Sequence, residues 1–227
     1  MKIRTKIKLA LASTLLSFSV LAAGDLHLDR ANSDISDTAS LQNGAKLFMN
    51  YCSGCHAIGF MRYNRIAKDL NLNDSLVSKH LMFAGEKPGE TITTAMPKDA
   101  AKKWFGNPPP DLSLIARAKG TDWIYTYLRG FYEDESKAFG VNNKVLANAS
   151  MPDVLWSLKE GKPEAEFDQD VRDITNFLDY VGEPAKLIRT SLGVWVLLFL
   201  GVLFILTYLL KKEYWKDVKY GIWRPRD

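Results

Sequence analysis

Cysteine and histidine are scarce: the 227-residue chain holds only two of the first and three of the second. Two thiols cannot build the disulfide lattice of a small secreted scaffold. They also fall short of the four ligands of a structural zinc site, with only His27 and His80 elsewhere to make up the number. The strand and helix alternation expected around a thioredoxin-like Cys-x-x-Cys site is missing as well. No internal repeat is evident, and the apolar and charged fractions, 47% and 25%, give no compositional case for disorder. Nor does charge indicate a nucleic-acid partner, although the net value is +4. Of the 30 basic residues, four lie in the first eight positions and six from Lys211 onward, leaving 20 against 23 acidic residues between the two ends. So mildly acidic a middle favours, if anything, a cationic partner.

Long apolar runs number two, and each has its own flanks. Lys2, Arg4, Lys6 and Lys8 precede an apolar stretch from Leu9 to Leu21 that closes on Ala22, Ala23 and Gly24. This is the pattern of a secretory signal over residues 1–23, too short for the roughly 20 apolar residues a bilayer span requires. The second run, Leu192 to Leu210, contains no charge and is long enough to cross a hydrocarbon core. Lys211, Lys212, Lys216, Lys219, Arg224 and Arg226 follow it, against only Lys186 and Arg189 before it, which predicts a cytoplasmic tail. The expected layout is an exported domain over 24–183, an anchor helix over 184–215 with its span at 192–210, and a tail over 216–227. A bacterial inner membrane, with the domain on its periplasmic side, suits that order.

Between these ends the periodicity is mostly helical. Ser40 is placed to cap a helix in which Leu41, Ala45, Phe48 and Cys52 share a face, and Gly44 allows another backbone to approach closely. Residues 86–110, rich in Pro, Gly, Thr and Lys, predict loop with one short helical turn near 100–105. Asp111 is placed to cap a short helix through Ala118. Thr121 caps another, with Ile124, Tyr127, Leu128 and Phe131 on one stripe. A final soluble helix is predicted over 166–181, ended by Gly182, with Pro184 opening the helix that continues into the membrane.

Both cysteines stand in Cys52-Ser53-Gly54-Cys55-His56, at a helix end in an exported chain. That spacing is the attachment signature of a c-type haem. Two thiols three residues apart on one turn reach the two vinyl groups of a single porphyrin edge, and the adjacent imidazole of His56 is aimed at the iron. His80, Met61, Met82, Met96 and Met151 each have the chemistry of a sixth ligand. Met96 and Met151 stand out because a proline follows each and stiffens the segment that must aim the side chain. Met151 is favoured, since it precedes the last soluble helix and its loop can lie across the haem face opposite His56. Trp104, Phe105, Pro108, Pro109, Pro110, Leu112 and Ile115 are the candidate haem wall, with Arg117 as a cation for a propionate.

Several further motifs occur in a fixed order: Gly44-Ala45-Lys46-Leu47-Phe48, Arg62-Tyr63-Asn64, Asn107-Pro108-Pro109-Pro110-Asp111-Leu112-Ser113, Ser150-Met151-Pro152-Asp153, and Trp215-Lys216-Asp217-Val218-Lys219. Together with Cys52, Cys55 and His56 they resemble the cytochrome c1 family, the haem subunits of ubiquinol:cytochrome c oxidoreductase, over nearly the whole mature chain. The resemblance implies a mainly α, class I cytochrome c-like domain with long loops plus one C-terminal transmembrane helix. It implies one covalent haem c held by Cys52 and Cys55, axial ligands His56 and Met151, and Arg117 near a propionate. It also implies a cytochrome b, a Rieske-type iron-sulfur protein as electron donor and a c-type cytochrome as acceptor, so that the chain carries electrons without being an enzyme by itself. A membrane-tethered monohaem cytochrome c serving a terminal oxidase or another reductase shares the same haem chemistry, as does a haem enzyme or gas sensor with an open iron position.

Overall fold

The computed structural model describes residues 27–221. The leader read over 1–23 and the end of the tail, with Arg224 and Arg226, lie outside the described residues. The described part is mainly helical, with two small two-stranded antiparallel sheets.

Helix α1 runs Thr38–Tyr51, and its cap is Asp37, whose side chain accepts from the Ser40 amide at 3.0 Å. The expected cap, Ser40, is inside the helix; its hydroxyl donates instead to Asp173 Oδ1 at 2.7 Å. A short extended segment β1 (Ile58–Arg62) and helices α2 (Tyr63–Asp69) and α3 (Asp74–His80) follow. Strand β2 (Thr91–Ile92) pairs with β1 across a bulge, then α4 (Lys98–Phe105) interrupts the long loop. Next come α5 (Ile115–Lys119) and α6 (Thr121–Arg129), then β3 (Phe131–Glu133) paired with β4 (Val141–Asn143). Phe131, expected on the stripe of α6, belongs to β3, because the helix stops at Gly130.

Helix α7 (Trp156–Gly161) leads to α8 (Glu164–Gly182), the long helix predicted over 166–181. Glu164 and Glu166 in its first turn oppose the positive end of the helix dipole. Helix α1 packs chiefly against α8, around Phe48, Phe177, Leu41, Ile174 and Tyr180, all essentially without solvent exposure. The approach is close because position 44 has no side chain. A Cβ there would lie 2.0 Å from the Asp173 carbonyl oxygen and 2.8 Å from Phe177 Cβ. Several polar groups buried at the same interface are paired: Asp173 accepts from Ser40 and from Asn43 at 2.8 Å, and Asp170 from Lys162, whereas the buried Asn176 Oδ1 has no partner among the described residues.

The segment ahead of α1, residues 27–37, crosses the domain as a lead-in and is pinned to it. The Ala31 amide donates to Asp122 at 2.9 Å, while Arg129 and Arg172 hold Asp29 and the Ala31 carbonyl. At the other end, Pro184 lies in a turn rather than at the first helical position; α9 runs Lys186–Tyr220 after three-residue hydrogen bonds at Glu183 and Pro184. Within its Ser191–Tyr220 stretch an 18-residue window has mean hydropathy 2.5, and none of that window is buried against the rest of the protein. Among the described residues it is the one helix long and apolar enough to cross a membrane.

Candidate functional site

The end of α1 shapes the cysteine motif. Cys52 caps the helix with its amide on the Phe48 carbonyl at 2.8 Å, and the Ser53 hydroxyl ties back to the Met49 carbonyl at 2.7 Å. The chain then winds on, with the amides of Cys55 and His56 both donating to the Cys52 carbonyl. Both thiols are thus carried on one turn, and both are free. Burial, with a smaller contribution from Cys55, pushes the Cys52 thiol up to about 12, and burial raises Cys55 as well. Neither thiol is lowered toward neutrality, as the attacking thiol of an exchange pair would be.

His56 is oriented through its Nδ1, which donates to the Pro110 carbonyl at 2.8 Å. The prolyl run supplies that acceptor, because three consecutive prolines fix φ and offer carbonyls with no amide hydrogens of their own. The run is itself fastened by Asp111, which accepts from the Gly59 amide at 2.8 Å and the Ser113 amide at 2.7 Å. The Leu112 amide adds a bond to the Ala57 carbonyl. With Nδ1 committed, Nε2 is the nitrogen left to bind a metal. Desolvation lowers the affinity of the ring for a proton, against smaller opposing contributions from Pro110 and Asp111. A neutral imidazole is the form a metal requires. Asp111 therefore opens a turn that serves His56; the helix it was expected to cap begins at Ile115 without a side-chain cap.

Cys52, Cys55, His56 and Met151 line one cleft, with a volume near 790 Å³ counting the open space at its mouth. Pro109 lines it with Phe105, Pro108 and Pro110 from the predicted wall, and Tyr51, Leu146 and Val154 complete the apolar surface. Three of the seven wall residues are elsewhere. Trp104 is 60% exposed on the outer side of α4, while Leu112 and Ile115 pack on the core. Arg117 is exposed and does not line the cleft; its Cγ runs beside Gly182 at the end of α8.

The other candidate sixth ligands are kept apart. Met61 is buried at 2% exposure, Met82 packs on the core, and Met96 sits in the loop after Thr94, whose hydroxyl donates to the Gly54 carbonyl at 2.8 Å. His80 and His27 are exposed, and among the described residues no three His, Cys, Asp or Glu side chains converge as a metal cluster would.

Residues that the sequence did not single out shape the Met151 side. Asn143, buried, donates to the Tyr127 carbonyl at 2.7 Å and accepts from the amides of Val145 at 2.8 Å and Leu146 at 3.3 Å. Asn142 accepts from the Asn148 amide at 2.9 Å, at the point where Asn148 turns with φ of 61°. The Tyr127 hydroxyl lies 3.6 Å from Met151 Sδ and donates to it; burial raises that phenol to about 12, so it stays protonated. The Asn142-Asn143 pair, a combination suited to side-chain turns, was the available signal.

The donor set suits a covalently attached haem. Two free thiols share a turn, an imidazole presents one nitrogen with the other fixed, a thioether lines the same cleft, and the remaining wall is apolar.

Comparison with known proteins agrees with this chemistry. A model of the Cytochrome C1 family matches residues 31–218. The chain is 48% identical to "Cytochrome c1" of Allochromatium vinosum, over 93% of this chain and 99% of that protein. It is 43% identical to a protein named "Ammonia monooxygenase gamma subunit" from Nitrosomonas europaea, over 92% and 97% of the two chains. It is 26% identical to the mitochondrial cytochrome c1 haem protein of Saccharomyces cerevisiae, over 81% of this chain and 68% of that one.

Proposed function

Because the chain belongs to the cytochrome c1 family, we propose that it works as the haem-bearing electron-transfer subunit of a ubiquinol:cytochrome c oxidoreductase. The haem c, when bound, supplies a one-electron ferric/ferrous couple. The protein supplies attachment, ligands and surroundings. Cys52 and Cys55 would hold the haem through thioether bonds, and His56 would present Nε2 to it because Pro110 occupies Nδ1. Met151, which lines the same cleft, would supply a thioether ligand, a donor that favours the reduced state. Phe105, Pro108, Pro109 and Leu146 keep the cleft dry, which disfavours the extra charge of the oxidised state. Arg117, which forms no ion pair among the described residues, is the proposed cation for a propionate.

The observation that carries this reading is the convergence of Cys52, Cys55, His56 and Met151 on one apolar cleft. No bond of a substrate is made or broken on this chain. The electron donor is a Rieske-type iron-sulfur protein, the acceptor is a c-type cytochrome, and a cytochrome b completes the complex that is the enzyme. Residues 1–23 direct export and are removed, 24–183 form the periplasmic domain, and the span near 192–210 anchors it in a bacterial inner membrane. Lys211, Lys212 and the basic residues after them keep the C-terminus cytoplasmic.

The relative named as an ammonia monooxygenase gamma subunit favours one second reading, a tethered cytochrome attached to a different oxidoreductase. Purification from native membranes in mild detergent separates the two. Recovery with a b-type cytochrome and an iron-sulfur protein, and with quinol:cytochrome c activity, is expected. Recovery without them contradicts the first reading.

A further inference from the structure

Met151 has a second partner besides the cleft. The Tyr127 hydroxyl donates to its sulfur at 3.6 Å, and the ring carrying that hydroxyl is held on several sides. Trp123, one helical turn earlier, stacks on it at 4.9 Å with the planes 8° apart. Phe131 meets it edge-on at 5.3 Å, and the Tyr127 carbonyl is bonded to the Asn143 side chain at 2.7 Å. A tyrosine ring moves about two torsions only, so these contacts fix where its oxygen points. Its reach across 24 residues of sequence ties helix α6 to the segment that carries Met151.

A thioether sulfur has two lone pairs. If one is given to a metal, the other is free to accept a hydrogen bond, and acceptance withdraws electron density from the sulfur. We propose that Tyr127 is a positioning residue that acts through Met151: its hydroxyl occupies the second lone pair, weakens the sulfur as a donor, and raises the haem reduction potential. The proposal rests on the reading of Met151 as the axial ligand. It assigns the potential partly to a residue that touches the ligand and not the iron, the kind of outer contact that tunes metal sites.

Tyr127→Phe removes one oxygen and leaves the stacked ring in place. In the full-length, haem-loaded protein it should shift the oxidised-to-reduced ratio at fixed potential about threefold toward oxidised, a drop of about 28 mV at 59 mV per tenfold for one electron. Imidazole, used as a competing ligand for the oxidised protein, should bind about threefold more weakly, because the freed sulfur donates better. Met151→Leu tests the underlying reading separately. Its reduced form should bind carbon monoxide rapidly while the wild type does not, and equal binding by both overturns the ligand assignment itself.

In the Met151→Leu background, Tyr127→Phe should change neither quantity. An unchanged potential in the single variant, tighter imidazole binding, or equal shifts in both backgrounds overturns the role of Tyr127. If Tyr127→Phe fails to accumulate, Trp123→Phe, which loosens the ring that aims the hydroxyl, replaces it with smaller shifts of the same sign expected.

Discussion

Gly44→Ala adds a single methyl group where α1 meets α8, and the structure states what that methyl meets. Its carbon would sit 2.0 Å from the Asp173 carbonyl oxygen, 2.7 Å from the carbonyl carbon and 2.8 Å from Phe177 Cβ. Ordinary contacts between such atoms lie near 3.5 Å or more, so the helices would have to part by over an ångström. Two of the three obstacles are backbone, which no change of rotamer can move aside. Separation would disturb Phe48 against Phe177, now at 5.6 Å between centroids, together with the paired Ser40, Asn43 and Asp173. Overpacking a tight core costs typically 1–3 kcal/mol, and a backbone obstacle belongs at the upper end. About 3 kcal/mol in a domain of this size lowers the melting temperature by roughly 6–12 °C.

The control lies ten residues on, at Gly54, where an added Cβ meets nothing within 4 Å. Thermal unfolding of the detergent-solubilised protein, followed by circular dichroism, compares the two. Gly44→Ala should be strongly destabilised and Gly54→Ala nearly silent. A Gly44→Ala variant as stable as the wild type would refute the claim that backbone contact sets the α1–α8 distance.

Other outcomes follow from the same contacts. Asn143→Ala leaves the Tyr127 carbonyl and the Val145 amide without their partner; each buried unsatisfied group costs about 1–3 kcal/mol, so urea unfolding should show a loss of at least 2 kcal/mol. Asp111 is partly desolvated, which alone would raise its carboxyl, yet Ser113 and the Gly59 amide hold it below the ordinary value of 3.8. A carboxyl lowered on folding adds stability above the unfolded value and loses it as pH falls through the folded one. The stability gap between wild type and Asp111→Asn should therefore be widest near neutrality and close below about pH 4, as urea midpoints across that range would register. Arg129→Ala should loosen the lead-in, detected as faster proteolysis ahead of Thr38, since it removes the bond to Asp29 at 2.9 Å.

What could be read in advance was local or periodic. Leu41, Ala45 and Phe48 recur at helical spacing, Gly44 marked a close approach, and the two cysteines with His56 carry their chemistry in adjacent positions. The C-terminal span followed from length and the absence of charge. What escaped depends on contacts distant in sequence. Ser40 looks like a cap from its neighbours alone, yet its hydroxyl answers to Asp173, 133 residues away. Trp104, Leu112 and Ile115 are as apolar as the residues that line the cleft, and only the fold sends them to the surface or the core. Pro110 matters through a carbonyl, which no residue type advertises, and Tyr127 through a sulfur that lies on another element.

The most direct test of the account is whether pigment and polypeptide are one molecule. The exported wild-type protein, denatured and extracted with acidified acetone, should keep its haem, stain for haem on a denaturing gel, and lose that stain when Cys52 and Cys55 are both replaced by alanine. Release of the pigment from the wild type into the solvent, or an exported protein without colour, would contradict the assignment of the cleft.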